Sequence, residues 1–291
     1  MLSKVKLYSD LLKFEHTVFA LPFGLASIFL LYQEVLSWKK VIAILIAMIS
    51  ARTLGMALNR LVDKPFDEKN PRTKIWPHAS GLVKDWEIKL LIFISGLVFI
   101  GSCYAINLLA LALSPVVIFF LWFYPYAKRI TYFPHLVLGV VYFLIPIAVD
   151  IALNERVSLI AFLLGLAMGS WVSGFDVLYS LQDYEFDKNV GLKSIPVRFG
   201  IAKALKIARL LHGITFFSLV LVGLVYPKTT WIYYLGLFLI TLFLVYEHRL
   251  ITEKDLSKIN KAFFTVNGFI SFVFLLVVLL NELYYTFGLK G

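Results

Sequence analysis

The sequence predicts an all-α, polytopic membrane bundle of nine transmembrane helices, and three observations predict it. Of the 291 residues, 60% are hydrophobic and 16% aromatic, with a mean hydropathy of +0.84, well above the apolar share of an ordinary soluble domain. Apolar runs near the roughly 20 residues needed to cross a bilayer start around Val18, Val41, Ile88, Leu108, Pro134, Leu159, Ile201, Trp231 and Ala262. The charges between these runs alternate in density. With alternate connections assigned to the same side, one side carries 22 Lys and Arg and the other five, while Arg52 lies inside a span.

Each element has its own justification. Residues 1–10 are short and polar, and the run from Val18 leads into another span without a small-residue cleavage site, so it is expected to stay as a helix. The second span, from Val41, opens into a long polar connection at residues 59–87. The third and fourth, from Ile88 and Leu108, end at the sequence Tyr124-Pro125-Tyr126-Ala127-Lys128-Arg129. Pro115, Pro125 and, in the fifth span, Pro146 interrupt apolar runs, which neighbouring helices in a bundle accommodate. The sixth span, from Leu159, opens into a second long polar connection at residues 179–200, and the last three spans are joined by short loops. The positive-inside rule places the N-terminus and both long connections on the cytoplasmic side of the cell's inner membrane and the C-terminus outside. Residues 1–291 read as one domain without linkers or low-complexity tracts. The two long connections lie four spans apart, which suggests a pseudo-repeated plan.

The net charge of +10 comes from short loops rather than from a long basic run, which excludes a nucleic-acid partner and leaves the lipid bilayer as the surroundings. Cys103 is the only cysteine. It cannot form an internal disulfide and reads as a small core residue.

Two stretches concentrate carboxylates at helical spacing. Steps of four put Asn59, Asp63 and Asp67 on one helical face; steps of seven and four do the same for Asp176, Asp183 and Asp187. Like charges stacked this way repel. Beside a bilayer they are tolerated when a cation sits between them, and hard oxygen ligands favour Mg²⁺ carrying a substrate phosphate. Tyr124 and Lys128 end the fourth span one helical turn apart, with Arg129 next in the chain. Together with Arg72 and Lys193 they are candidates for the diphosphate oxygens. Arg52 lies seven residues before Asn59 on the same face, where a guanidinium needs a partner, either a substrate carboxylate or Asp63. Tyr179 and Tyr124 flank the acids and could offer π-faces to a carbocation. Glu15 and His16 open the first span as an interfacial cap or a cavity lining, and Asp150 reads as a wetted helix end near the opposite face.

These residues resemble the UbiA superfamily of intramembrane aromatic prenyltransferases. The first motif matches the family's Asn-x3-Asp-x3-Asp pattern at Asn59, Asp63 and Asp67, followed by Asn70-Pro71-Arg72-Thr73. The second matches at Asp176, Asp183 and Asp187, followed by Gly191-Leu192-Lys193-Ser194, and a Tyr-x3-Lys element matches at Tyr124 and Lys128. One departure is Lys74, where the family commonly has a second arginine. The resemblance implies nine helices around a central cavity and a Mg²⁺ cofactor held by Asn59, Asp63 and Asp67 on one side and by Asp183 and Asp187, supported by Asp176, on the other. It also implies transfer from a polyprenyl diphosphate to an aromatic hydroxy-acid in ubiquinone or menaquinone biosynthesis. The branch it resembles uses 4-hydroxybenzoate. The stretch from Lys13 to Phe23 is similar also to the futalosine-route menaquinone enzymes, whose acceptor is 1,4-dihydroxy-6-naphthoate. Two rival classes remain at this point. A cation-coupled transporter would place acids near the bilayer midplane, and a CDP-alcohol phosphotransferase would need an Asp-Gly step with a nearby Ala-Arg in one acidic motif, which this chain lacks.

Overall fold

A computed structural model describes residues 4–13, 17–32 and 37–288. In order, the helices are α1 (Lys4–Leu12), α2 (Thr17–Leu31), α3 (Trp38–Asp67), α4 (Asp85–Ile106), α5 (Leu108–Ile130), α6 (Pro134–Asn154) and α7 (Leu159–Ser180). A short 3-10 turn (Leu181–Asp183) then leads into α8 (Tyr184–Val190), α9 (Ile195–Phe199), α10 (Ile201–Val225), α11 (Trp231–Leu250) and α12 (Asn267–Leu283), the last entered through a π-helical turn (Lys261–Val266). Among the described residues, eight segments are long and apolar enough to cross a membrane, and α2 is a further, shorter apolar helix of 15 residues. The expected all-helical, nine-span plan is therefore found, with the first span the shortest. Glu15 and His16 lie outside the described residues.

The helices form a ring because each packs chiefly on its chain neighbours and α2 closes the circuit against α12. No hydrophobic driving force exists between helices inside lipid, so close fit has to supply the attraction. Stacking of Phe23 on Phe274, ring centroids 4.6 Å apart, anchors the short α2, and such pairs contribute about 0.5–1.5 kcal/mol beyond burial. The tightest approach is α6 on α7. A Cβ placed at Gly169 would meet the Gly139 carbonyl oxygen at 2.7 Å, and one at Gly139 would meet Ser173 Oγ at 2.0 Å. These glycines bring the helix carrying the second acid motif against the helix facing the cavity.

Asp150 is not a wetted end. It is 1% exposed and accepts from the Ser158 amide at 2.7 Å and from Asn154 Nδ2 at 2.6 Å, so it joins the end of α6 to the start of α7. The second acid motif is not one continuous helix either. Ser180 Oγ donates back to the Val177 carbonyl, the chain tightens into the 3-10 turn, and α8 restarts at Tyr184.

Candidate active site

Both acid motifs face one cavity of about 600 Å³, whose lining includes Asn59, Asp63, Asp67, Asp176, Asp183 and Asp187. The first three come from the C-terminal end of α3, and the others from the end of α7 and the turn and helix that follow. Of the expected substrate contacts, Arg52, Arg72, Tyr124, Lys128, Tyr179 and Lys193 also line it. Most of the cavity wall is apolar, contributed by α3, α5 and α6.

Each motif acid but one rests on a cationic or cation-capable group. Asp63, 6% exposed, accepts from Lys128 Nζ at 2.8 Å and Asn59 Nδ2 at 2.9 Å, both on Oδ2. Asp67 meets the fully buried His78 at 2.8 Å. Asp176 meets His135 at 2.7 Å. Asp183 receives a two-pronged contact from Arg72, Nε to Oδ1 at 2.9 Å and Nη2 to Oδ2 at 2.5 Å, with Asn70 Nδ2 adding a third bond at 2.9 Å. Arg72 Nη1 donates to the Tyr179 hydroxyl at 3.0 Å, and the Asn70 side chain turns back to accept from the Arg72 amide. Burial alone would lower the Arg72 pKa, but its bonds and attraction to Asp183 outweigh that and hold it above the ordinary arginine value. The Asn70–Thr73 loop thus ties the first motif's connection to the second motif.

Among the described residues no three acidic, His or Cys side chains converge as a ready metal cage. The acids are spread onto separate partners because uncompensated carboxylates at this depth would repel one another. Arg129 is not in the cavity wall. It donates from Nη2 to the Val62 carbonyl at 2.6 Å and lies over the Phe66 ring, 5.0 Å from its centroid. It therefore holds the end of α3 in place. Arg129→Ala is expected to lower thermal stability, by about 1–3 kcal/mol for a lost charged bond to a carbonyl, while the KM for an anionic substrate stays at the wild-type value; melting curves and initial rates check both. Lys193 lines the cavity, but its ammonium donates to the Ile130 carbonyl at 3.1 Å and its amide to the Lys128 carbonyl at 2.7 Å. It braces the segment that carries Lys128.

Asn70, His78, His135 and Tyr142 are cavity or motif partners that spacing did not single out. Both histidines follow a proline, in Trp76-Pro77-His78 and Phe133-Pro134-His135, and that is the only local signal they leave. Arg52 reaches Tyr142, Nη1 to hydroxyl at 3.4 Å, rather than Asp63, and its Nε and Nη2 are buried without partners.

The donor chemistry fits a divalent cation even though no cage is preformed. Asp63 Oδ1 is buried without a partner, and Asp187, in the same cavity, forms no ion pair among the described residues. One hard oxygen acceptor is left on each motif, the ligand type Mg²⁺ takes.

A ring of membrane-spanning helices closed on one acid-and-cation cavity defines a multi-pass membrane enzyme. The UbiA prenyltransferase family model matches residues 20–273, and the chain belongs to this family of prenyltransferases. It is 32% identical to the 4-hydroxybenzoate octaprenyltransferase of Pasteurella multocida over 79% of this chain and 78% of that one. It is 35% identical to the enzyme of the same name from Chromohalobacter salexigens over 73% and 70%. Among solved structures, the apo UbiA homolog from Aeropyrum pernix superposes with a TM-score of 0.82 at 28% identity, covering 92% of this chain and 98% of that one. The UbiA homolog from Archaeoglobus fulgidus bound to GPP and Mg²⁺ shares the fold, with a TM-score of 0.76 at 20% identity over 94% and 99%.

Proposed function

We propose that this chain, acting as one catalytic unit, transfers a polyprenyl group from polyprenyl diphosphate to a 4-hydroxybenzoate-type aromatic acid for quinone biosynthesis. The observation that carries the reading is the single cavity in which Arg72 and Lys128 sit on the acids of the two motifs while Arg52 stands unpaired in the same wall. Similarity to relatives named for 4-hydroxybenzoate supports the acceptor class.

Asn59, Asp63 and Asp67 on one side and Asp183 and Asp187 on the other would hold Mg²⁺, while Asp176 supports the second group through the cavity wall. Bound with the diphosphate, Mg²⁺ supplies Lewis-acid stabilisation of charge on the leaving oxygens. Lys128 and Arg72 neutralise those same oxygens and hold the donor's C1 at the polar end. Arg52 takes the acceptor carboxylate on its free Nε and Nη2, which sets the ring against C1. The C1–O bond of the donor breaks with its electron pair leaving on diphosphate, the ring carbon ortho to the hydroxyl bonds to C1, and that carbon loses its proton to the released diphosphate. Tyr124 and Tyr179 present π-faces beside the developing cation, and the apolar wall keeps out the water that would quench it. The tail lies along the apolar part of the cavity and continues into lipid. The lopsided Lys and Arg distribution supports an inner-membrane orientation with N-terminus and acid end cytoplasmic.

Detergent-purified protein with Mg²⁺, a polyprenyl diphosphate and 4-hydroxybenzoate is expected to release diphosphate and form the ring-prenylated acid, seen by mass; chelation stops turnover and Mg²⁺ restores it. Product from 1,4-dihydroxy-6-naphthoate alone would move the acceptor to the menaquinone route. No product from any aromatic acid would sink the reading.

A further inference from the structure

We propose that the unpartnered Nε2 of His135 hydrogen-bonds the acceptor's hydroxyl group while Arg52 takes its carboxylate; this rests on the aromatic-acid reading above. His135 is 3% exposed and lines the cavity. Its Nδ1 lies 2.7 Å from Asp176 Oδ2. The Asp176 carboxylate engages Nδ1, which leaves Nε2 as the free ring nitrogen. That Nε2 is buried and has no partner. A buried polar atom with nothing to bond to is costly, and a ligand that supplies the missing partner recovers the loss.

The same helix also holds Arg52. Tyr142 stands seven residues after His135 on α6, two turns on and on the same face, about 10.5 Å along the axis. Its hydroxyl holds Arg52 at 3.4 Å, and both free guanidinium nitrogens of Arg52 are buried in the same wall. The cavity wall therefore presents an unmet cationic donor from α3 and an unmet imidazole nitrogen from α6. A benzene ring with a carboxylate at one end and a hydroxyl at the other spans roughly 6 Å between its outer oxygens by standard bond lengths. Arg52 at the carboxylate and His135 at the hydroxyl therefore take opposite ends of the ring. The hydroxyl end then faces Asp176 and the motif acids, and the carbon beside the hydroxyl is turned toward the diphosphate end.

The test compares binding of 4-hydroxybenzoate and benzoate to the purified protein with Mg²⁺ and a non-cleavable prenyl thiodiphosphate present. Wild type is expected to prefer the hydroxylated ring about tenfold or more. His135→Asn can still donate to Asp176 but does not reach the place of Nε2, and it is expected to erase the preference. His135→Gln puts a carbonyl oxygen near that place and is expected to keep most of it. Affinity for the thiodiphosphate is measured in parallel, because His135 touches Asp176 and a disturbed second motif would weaken it. A preference intact in His135→Asn overturns the inference, and so does equal loss in both variants accompanied by weaker thiodiphosphate binding, which marks a purely structural role. If the Asn variant does not fold, loss of the preference in the Gln variant overturns it. Binding of neither aromatic acid by the wild type overturns the aromatic-acid reading and this inference together.

Discussion

Asp183→Ala is expected to lower prenyl transfer by about 10³-fold or more, with the protein still inserted in the membrane. Asp183 receives three bonds from Arg72 and Asn70, two residues that follow the first motif in the chain. Removing it deletes one hard oxygen ligand from the second motif. It also leaves the half-buried Arg72 guanidinium, which lies over the Trp76 and Tyr179 rings, without its counter-charge, at a cost below the roughly 3–5 kcal/mol of breaking a fully buried pair. Both effects reduce the hold on the diphosphate, one through the metal and one through a swung arginine. Asp183→Asn separates them. The amide can still accept from Asn70 and keep the loop in place, but it lacks the charge, so activity falls to a similar level while the melting temperature recovers. Turnover close to wild type in the alanine variant would remove Asp183 from the chemistry.

The second large effect is expected at Arg52. Arg52→Leu should raise the KM for the aromatic acid by about two orders of magnitude while leaving the KM for the prenyl diphosphate unchanged, since truncating one partner of a buried charge pair costs 2–5 kcal/mol. The guanidinium is held by Tyr142 at one corner and has two free nitrogens, a geometry suited to the two oxygens of a carboxylate. Lysine offers one point charge where the arginine offers a planar fork, so Arg52→Lys is expected to recover only part of the affinity. Rates measured against each substrate in turn check this. A rise in the donor KM instead would place Arg52 with the diphosphate.

Much of the architecture could be read from the chain because a bilayer imposes a length and a polarity that sequence carries directly. Spans expected from Leu108, Pro134, Leu159, Ile201 and Trp231 begin at those residues. The acid ladder on α3 needed only the helical repeat, since that helix runs unbroken to Asp67. The second ladder did not follow a single helix, yet its acids still reach the same cavity, because a 3-10 turn rotates the chain without reversing it. What sequence could not supply were partners brought from elsewhere. His78 and His135 sit 11 and 41 residues from the acids they meet, and no spacing rule joins them. Lys128 and Arg129 show the limit at its narrowest: neighbours on one helix point about 100° apart, so one reaches Asp63 and the other grips the backbone of α3. Charge type was legible; direction was not.

Arg72 and Asp183 stand 111 positions apart, and the chain is made and folded from its N-terminus onward. The first two spans and the arginine that follows them therefore wait at the membrane surface through the synthesis of four more spanning helices, α4 to α7, before the answering carboxylate arrives. Contacts that far apart form late. Competence for chemistry is accordingly among the last properties this protein gains as it is born, and no N-terminal fragment ending before α7 can possess it.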